Sequence, residues 1–324
     1  MKILHLINSI KPGGAETVMS NYIRVCNELG YNSVVVGTRN SESYELQLRQ
    51  IAGIEYSLSK SLLKDADVIF VHSNINLLRL IRFLPLLRKR RIRIFYILHL
   101  CFSQNKFRLL SYLINKICTG FIQITPIVEE EVKKYIKLPV FYINNFYLNK
   151  YTKDQWPEIR QVIREELGIA PATTLICFSA IFKPGKGLKD IVDLATSMKN
   201  DSGVHFLVVG DGQEAYRLDG YPYKNLTWVG RQTDVEKYLV ASDAYIFTSR
   251  FAKEMMPMAL IEAINTDKQI YAYNTAINKH LLGNNVFQKI DSSALLGGRP
   301  ADGRQLRHYD REYGIERLCN LLDL

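Results

Sequence analysis

Two glutamates separated by seven residues lie in the stretch "SRFAKEMMPMALIEAI", directly after the strand-like run "DAYIFTS". Pro257 suits the first turn of a helix, so Glu254 is predicted in the loop before that helix and Glu262 about two turns inside it. A glycosidase pair must flank one bond from opposite sides, whereas these two follow each other along one segment. We expect them to bind two parts of one extended ligand, with the helix-start amides of Met256 and Met258 facing a phosphate. Two solvated helix glutamates would show the same spacing.

An adjacent pair of glycines, Gly13 and Gly14, follows the first strand-like run in "NSIKPGGAETVMSNYI". Glycines let backbone amides approach a bound group, and the helix start behind them attracts anions. A phosphate site is therefore expected there, although a plain tight turn explains two glycines as well. The stretch is neither G-x-G-x-x-G nor a P-loop, so it lacks the usual signature of dehydrogenases and NTPases.

The second half repeats this arrangement in "SAIFKPGKGLKDIV", where a strand, a Pro-Gly turn and an amphipathic helix follow each other. Lys183 and Lys186 lie directly before the N-terminus of that helix. There they could bind a phosphate, or they could be solvated lysines of the turn. The later stretch "LVVGDGQE" places Gly210 and Gly212 at a strand end. They indicate either a bend or a close approach of a nucleotide to the backbone.

These candidate residues are positioned by short apolar strands that alternate with helical patterns. The runs "KILHLI", "SVVVGT", "DVIFVHS" and "IRIFYILHL" belong to the first half, and "TTLICFSA", "VHFLVVGDG" and "AYIFTS" to the second. Nearly continuous apolar strands are typical of parallel sheets covered on both faces. The order predicts two βαβ domains, residues 1–153 and 154–324, divided in a charged stretch that holds Pro157 and Pro171. Residues 288–311 show no clear period.

The positive charge is confined to the first half of the chain. Residues 1–150 carry 21 Lys and Arg against 10 Asp and Glu, a net charge of +11, whereas residues 151–324 carry 21 against 22, a net charge of −1. No acidic residue lies between Asp67 and Glu129, where these cations occur: Arg79, Arg82, Arg88, Lys89, Arg90, Arg91, Arg93, Lys106, Arg108 and Lys116. Such a block implies an anionic partner: a membrane surface, a phosphorylated substrate or nucleic acid.

Residues 68–128 are expected to meet an anionic membrane surface. The patch "LLRLIRFLPLLRKRRIR" interleaves leucines with arginines, a mixture that lets apolar side chains enter the interface while cations meet lipid phosphates. The alternative is that the leucines form helix core and the cations a solvated face. Pro85 interrupts the pattern, so any amphipathic helix here is short or split. Single cysteines and the absence of a long apolar run or signal peptide favour a cytoplasmic protein bound to the inner face of the membrane.

In combination, these motifs resemble the retaining family 4 glycosyltransferases of the GT-B fold, two Rossmann-like domains that face each other across a cleft. The resemblance runs from "MKILHLINSIKPGGAETVMSNYI" to about "QIYAYN". It is strongest where "VHFLVVGDGQE", "NLTWVGRQTDVEKYLVASDAYIFTS" and "EMMPMALIEA" follow in the family's order and end in its E-x7-E motif. It implies an acceptor-binding first domain and a second domain that binds a nucleotide sugar.

The resemblance also implies a role for each candidate residue. Glu254 would hold hydroxyls of the donor sugar, Glu262 the nucleotide ribose and Lys186 the donor diphosphate. His99 matches a family histidine that faces the reacting sugar, although a lone histidine at a strand end is more often a core residue. The Gly13 and Gly14 amides would approach the donor from the first domain.

The chain departs from the family pattern at two places. Ala180 and Ile181 stand where the family usually has an arginine, so Lys183 must substitute for it or one phosphate contact is missing. Met255 stands where a glycine normally follows the first glutamate.

The implied activity is transfer of a sugar, with retention, to a glycan or lipid-linked acceptor in bacterial surface polysaccharide synthesis (O-antigen, capsule or lipopolysaccharide). No metal and no other cofactor is expected, because the cations and helix starts would stabilise the leaving diphosphate. Two alternatives remain: an inactive GT-B nucleotide-binding scaffold, and a basic nucleic-acid-binding protein. The second lacks the glycine-aromatic RNA signatures, so no nucleic acid partner is expected.

Overall fold

The computed structural model describes residues 1–250, 254–306 and 309–323. These residues form two compact units. The first contains residues 1–148, 254–258 and 309–323, and the second contains residues 149–250 and 259–306. The chain first passes from the first unit to the second between Leu148 and Asn149, five residues before the predicted boundary at Asp154. Two segments after Asp154, residues 254–258 and 309–323, are grouped with the first unit. The assignment of residues 154–324 to one donor-binding domain stays a prediction.

A seven-stranded parallel sheet forms the centre of the first unit. Its strands are β1 (Lys2–Ile10), β2 (Asn32–Arg39), β3 (Gly53–Glu55), β4 (Val68–Val71), β5 (Arg93–Ile97), β6 (Gly120–Gln123) and β7 (Val140–Tyr142). The spatial order is β3-β2-β1-β4-β5-β6-β7. Every residue of β4 and of β6 is buried, which confirms the expectation of strands covered on both faces.

The helices of this unit pack on that sheet or on each other. They are α1 (Gly14–Glu28), α2 (Glu42–Arg49), α3 (Lys60–Lys64), α4 (Asn74–Leu80), α5 (Leu84–Arg90), α6 (Gln104–Ile117) and α7 (Glu129–Tyr135). A 3-10 turn separates α4 from α5, and Pro85 is the second residue of α5. The helical patch is therefore split, as the position of this proline predicts. A final helix, which runs from Arg311 to Leu322, packs against α1.

The second unit contains a six-stranded sheet. Its strands are β8 (Thr174–Ile181), β9 (Val204–Asp211), β10 (Leu226–Trp228), β11 (Ala244–Phe247), β12 (Gln269–Ala272) and β13 (Ala301–Asp302). The order is β10-β9-β8-β11-β12-β13, with β13 antiparallel to β12 and the other pairs parallel. The helices are α8 (Trp156–Glu166), α9 (Leu188–Ser197), α10 (Glu236–Ala241), α11 (Met258–Asn265), α12 (Ala276–Leu282) and α13 (Ser292–Gly297), and the terminal helix of the first unit is α14.

Both sheets reverse their direction of winding at one point. The chain winds from β1 outward to β3 and then returns to β4, and it winds from β8 outward to β10 and then returns to β11. Ligands of open α/β sheets bind at the carboxyl ends of the strands beside such a switch point. The places where a ligand is expected are therefore the loops that follow β1 and β4 in the first unit and β8 and β11 in the second. Within the described residues, no helix is long and apolar enough to cross a membrane.

Candidate active site

The loop after β8 brings Lys183 and Lys186 to the switch point of the second unit. The turn is closed by a 3.1 Å hydrogen bond from the Lys186 amide to the Lys183 carbonyl. Gly187, the N-cap of α9, has a positive φ of 86°. A Cβ at this glycine would lie 2.6 Å from the carbonyl oxygen of Thr248, which follows β11. The Thr248 hydroxyl also donates to the Gly187 carbonyl at 3.1 Å. Contacts with Thr248, the residue after β11, therefore fix the position of Lys186 in front of α9.

The glycines of "LVVGDGQE" are explained by packing of the chain on itself. A Cβ on Gly210 would lie 1.9 Å from the Ala180 carbonyl oxygen, and one on Gly212 would lie 2.4 Å from that of Phe182. Both glycines have positive φ values, 133° and 152°. Of the two interpretations left open by the sequence, the bend is the one that the structure supports. The bend packs against Ala180 and Phe182. These residues lie directly before Lys183 and Lys186, whose loop is called the lysine loop below.

Arg250 is a third cation at this loop, and sequence reasoning missed it. Its amide donates to the Gly185 carbonyl at 2.8 Å. Its guanidinium lies 2.7 Å from the carboxylate of Asp190 and 3.8 Å from the centroid of the Tyr273 ring. The only available signal was its position two residues after Thr248 at the end of a buried strand. The pairing of β8 with β11, which brings it to the lysine loop, is a long-range feature that local sequence patterns do not encode.

Glu262 lies in α11 and has a strongly perturbed carboxyl group. Burial raises its pKa to about 8, and the nearby carboxylate of Glu236 adds to the increase, while Lys150 partly offsets it. Glu236 is fully buried and accepts hydrogen bonds from the backbone amides of Lys150, at 2.7 Å, and Tyr151, at 3.3 Å. Glu262 is therefore mostly protonated at neutral pH and can donate a hydrogen bond as well as accept one. Perturbed carboxyls of this kind are concentrated at functional sites.

In the first unit, Gly13 and Gly14 lie at the start of α1, after β1, as predicted. Gly13 is the N-cap with extended backbone, and a Cβ on Gly14 would meet nothing within 4 Å. The carboxylate of Glu16 lies against Gly13, 2.3 Å from the place of a Cβ there. Burial raises the pKa of Glu16, while a backbone hydrogen bond and Lys11 lower it. An anion approaching Gly13 would therefore meet this carboxyl, whereas the Gly14 position is open.

His99 follows β5, and its Nε2 lies 3.0 Å from Nδ1 of His72. Burial lowers the pKa of His99 to about 4, so the ring is neutral at physiological pH. Sequence reasoning excluded His72 from the site. The structure joins it to His99 because β4 and β5 are neighbours in the sheet.

Glu254 belongs to the same unit as His99. Its backbone forms an isolated antiparallel bridge with Leu100, the residue after His99. Two residues further on, the Met256 carbonyl accepts a 2.7 Å hydrogen bond from Nδ2 of Asn145. These contacts explain why residues 254–258 pack into the first unit. The predicted set is thus divided between the units: Lys183, Lys186 and Glu262 belong to the second, and Glu254 is grouped with His99.

Met256 and Met258 lie where the chain enters α11. The helix begins at Met258, one residue later than predicted, and Pro257 directly precedes it. Both methionine side chains are buried, with 4% and 7% exposed, as is that of Met255 at 1%. A role for their amides in phosphate binding stays a prediction.

Comparison with known proteins identifies the architecture. Residues 159–293 match the family model described as glycosyl transferases group 1. HepE from Anabaena, solved in complex with UDP-glucose, superimposes with a TM-score of 0.76 at 18% identity, covering 100% of this chain and 99% of HepE. The chain has the GT-B fold. A glycosyltransferase from Rickettsia africae matches with a TM-score of 0.69 at 14% identity, covering 99% of this chain and 97% of that one.

WaaG, a glycosyltransferase involved in lipopolysaccharide biosynthesis, shares this GT-B fold with a TM-score of 0.61 at 13% identity, covering 99% of this chain and 90% of WaaG. Among curated proteins, none matches the chain significantly in sequence. The segment that matches the group 1 family model, residues 159–293, contains Lys183, Lys186, Arg250 and Glu262. The fold predicted from the motifs is confirmed.

Proposed function

We propose that the protein is a retaining glycosyltransferase that moves a sugar from a nucleotide-sugar donor to a glycan or lipid-linked acceptor in bacterial surface polysaccharide synthesis. The observation that carries this proposal is the lysine loop before α9 together with the perturbed Glu262, both within the group 1 domain. The loop lies at the sheet's switch point, where α/β folds bind nucleotides. The UDP and UDP-glucose bound by HepE support a nucleotide-sugar donor and make uridine nucleotides the first probes.

In this proposal, the second unit stabilises the leaving diphosphate. Lys183 and Lys186 supply positive charge, and the backbone amides at the start of the ten-residue helix α9 add to it. Arg250 compensates for the arginine missing before Lys183. A protonated Glu262 binds the ribose hydroxyls, since a neutral carboxyl can donate to one and accept from the other.

Glu254 and His99 are proposed to bind hydroxyls of the donor sugar. The sequence offers no convincing covalent nucleophile. We therefore infer a front-face reaction, in which the acceptor attacks from the side of the leaving group and the leaving phosphate helps to deprotonate it. Preorganised cations and helix-start amides lower the barrier by meeting the charge that develops on the diphosphate.

Binding of donor nucleotides provides the first test of this function. A ligand that binds only the folded state raises the melting temperature with increasing concentration, by an amount that follows its affinity. We expect at least one nucleotide sugar to do so in a thermal-shift panel, and its nucleoside diphosphate to do the same. Lys186→Ala should reduce the shift, whereas Lys189→Ala on the exposed face of α9 should preserve it. A panel without any nucleotide-dependent shift would contradict the proposal.

We propose that no divalent metal is required for transfer. The lysines at the β8–α9 turn and the two helix starts supply the positive potential that a metal would otherwise provide. Turnover should therefore be unchanged by a chelator. Loss of turnover in the chelator, with recovery on addition of magnesium or manganese, would refute this prediction.

We further propose that the first unit docks on the cytoplasmic face of an anionic membrane, where a lipid-linked acceptor is presented. Of the leucines in the basic patch, Leu77, Leu80 and Leu87 are buried. The exposed apolar residues form two stripes instead, Ile75, Leu78 and Ile81 at α4 and Leu109 and Tyr112 on α6. These two helices pack against each other. The same segment carries these exposed cations: Arg82, Arg88, Lys89, Arg91, Lys106, Arg108 and Lys116.

This surface should bind vesicles that contain anionic lipid. Each cation near such a membrane contributes about 1 kcal/mol, so four suffice for reversible docking. Flotation should recover the protein with anionic vesicles at low salt and much less with neutral vesicles or at high salt. Replacement of the four cations at positions 88–91 by glutamine should reduce the amount of protein recovered with the vesicles. The additional substitutions Leu109→Ser and Tyr112→Ser should reduce it further. Leu46→Ser on α2, also an exposed leucine at 60%, is the matched control. Docking would be contradicted if equal amounts of protein float with anionic and neutral vesicles. It would also be contradicted if none of these substitutions lowers the amount recovered.

A further inference from the structure

Three histidines form a continuous chain across the centre of the first sheet. His5 lies in β1, His72 directly follows β4, and His99 follows β5. Nδ1 of His5 lies 3.3 Å from Nε2 of His72, and Nδ1 of His72 lies 3.0 Å from Nε2 of His99. Adjacent rings are stacked, with centroids 5.6 Å and 5.3 Å apart. The chain follows from the strand order, since β1, β4 and β5 are consecutive neighbours.

The inner part of this chain is closed off from solvent. His5 is fully buried and stacks on Phe70, and His72 is 6% exposed with Tyr22 edge-on to its ring. Burial is the main cause that lowers the pKa of all three rings, to about 3 for His5 and about 4 for His99. Each ring is therefore neutral and carries one N–H and one lone pair. Because the middle ring can donate only once, both hydrogen bonds must run in the same direction.

The unpaired end of the chain indicates which direction that is. His5 Nε2 is buried and has no hydrogen-bond partner among the described residues. If the bonds ran inward from His99, this atom would be a buried N–H without an acceptor. If the hydrogen bonds run outward from His5, His5 Nε2 instead carries a buried lone pair. Buried donors without a partner are the rarer of the two in folded proteins.

We propose that His72 is a positioning residue, which holds His99 in the tautomer that carries its proton on Nδ1. His5 Nδ1 donates to His72 Nε2, and His72 Nδ1 donates to His99 Nε2. Within the described part of the chain, no protein group pairs with His99 Nδ1. His99 therefore offers a neutral hydrogen-bond donor at the carboxyl end of the sheet and cannot accept a proton there.

The consequence for catalysis rests on the proposed function. A fixed Nδ1–H recognises an oxygen that accepts a hydrogen bond, such as a sugar hydroxyl oxygen. It excludes His99 as the base that deprotonates the acceptor, because its remaining lone pair is already occupied by His72.

The tautomer can be measured directly in the full-length protein. With histidine ring nitrogens labelled with ¹⁵N, long-range ¹H–¹⁵N correlation spectra distinguish protonated from unprotonated nitrogens. The signals of His99 are assigned by their loss in His99→Gln. We expect wild-type His99 to show a protonated Nδ1 and a bare Nε2. A protonated Nε2 on His99 of the wild-type protein would overturn the proposal. This measurement does not depend on any variant of His72.

Two variants of His72 separate positioning from a merely structural role. His72→Phe removes the donor, so the Nε2–H tautomer of His99 should appear. His72→Asn keeps an N–H near the place of Nδ1 and should restore the wild-type tautomer. A wild-type pattern in His72→Phe would contradict the proposal.

If transfer activity is found, His72→Phe should lower turnover about tenfold or more, because a preorganised donor is lost. The double variant His72→Phe/His99→Phe should be no worse than His99→Phe alone, since the two residues act as one unit. Additive losses would contradict a role through His99. The spectra test the tautomer even if no sugar donor is turned over, so failure of the proposed function is distinguishable from failure of this inference.

Discussion

Glu262→Gln is expected to stabilise the unliganded protein at pH 8 and above, while it weakens binding of the nucleotide. In the folded protein the pKa of Glu262 is raised to about 8, whereas in the unfolded chain it has its ordinary value near 4.5. Below pH 4.5 both states are protonated and the group has no effect on stability. As the pH rises from 4.5 to 8, the unfolded chain releases a proton that the folded protein retains, so the free energy of unfolding falls.

Glutamine cannot ionise, so the variant avoids this loss. Raising the pKa of a carboxyl by one pH unit costs its charged form about 1.4 kcal/mol relative to its neutral form. The difference in melting temperature between variant and wild type should therefore be near zero at pH 4.5 and several degrees at pH 8.5. Glu166→Gln, at an exposed position on α8, is the control and should show no such dependence. A variant that is no more stable than wild type at pH 8.5 would contradict the perturbed carboxyl.

Replacing Lys186 or Glu254 with alanine should lower sugar transfer by about tenfold or more without unfolding the protein. A charge contact that is already in place in the folded enzyme typically contributes a few kcal/mol at the transition state. Lys186 is held by the turn before α9, and Glu254 by its bridge to Leu100, so neither change removes a large apolar side chain. Lys186→Ala should also weaken binding of the nucleoside diphosphate alone. Glu254→Ala should leave that binding intact, because its predicted partner is the sugar.

The pair is compared with Lys189→Ala, in which an exposed lysine of α9 that pairs with Asp193 is removed. Circular dichroism and melting temperature establish that all three variants fold. Unchanged turnover in both Lys186→Ala and Glu254→Ala would refute the assignment of the site.

The sequence predicts the parts of this fold that are encoded locally. Continuous apolar runs become buried parallel strands, the Gly13–Gly14 pair begins α1, and Lys186 precedes α9, because each depends on residues close in the chain. The two-residue strand β13 and the six-residue helix α13 were missed within residues 288–311, which show no period, because elements this short contain too few residues to establish one. Arg307 and His308 of that stretch lie outside the described residues.

The rest could not be predicted, because it depends on which strands become neighbours. His5, His72 and His99 are separated by 67 and 27 residues and meet through the order of β1, β4 and β5. Arg250 reaches the lysine loop through the pairing of β8 with β11. Likewise, the pKa of Glu262 is raised by burial and by the charge of Glu236 and is partly offset by Lys150, and both of these residues are far from it in the chain. Spacing alone cannot distinguish such a carboxyl from a solvated one.

Transfer of labelled sugar is the most direct test of the central claim. The protein is incubated with nucleotide sugars that carry the label in the sugar, in the presence of a bacterial lipid extract as the source of acceptor. We predict that one donor yields labelled acceptor and nucleoside diphosphate in equal amounts, and that both products fall by about tenfold or more in Lys186→Ala. The new bond should keep the anomeric configuration of the donor. Nucleotide binding without turnover of any donor would instead identify an inactive scaffold and contradict the account.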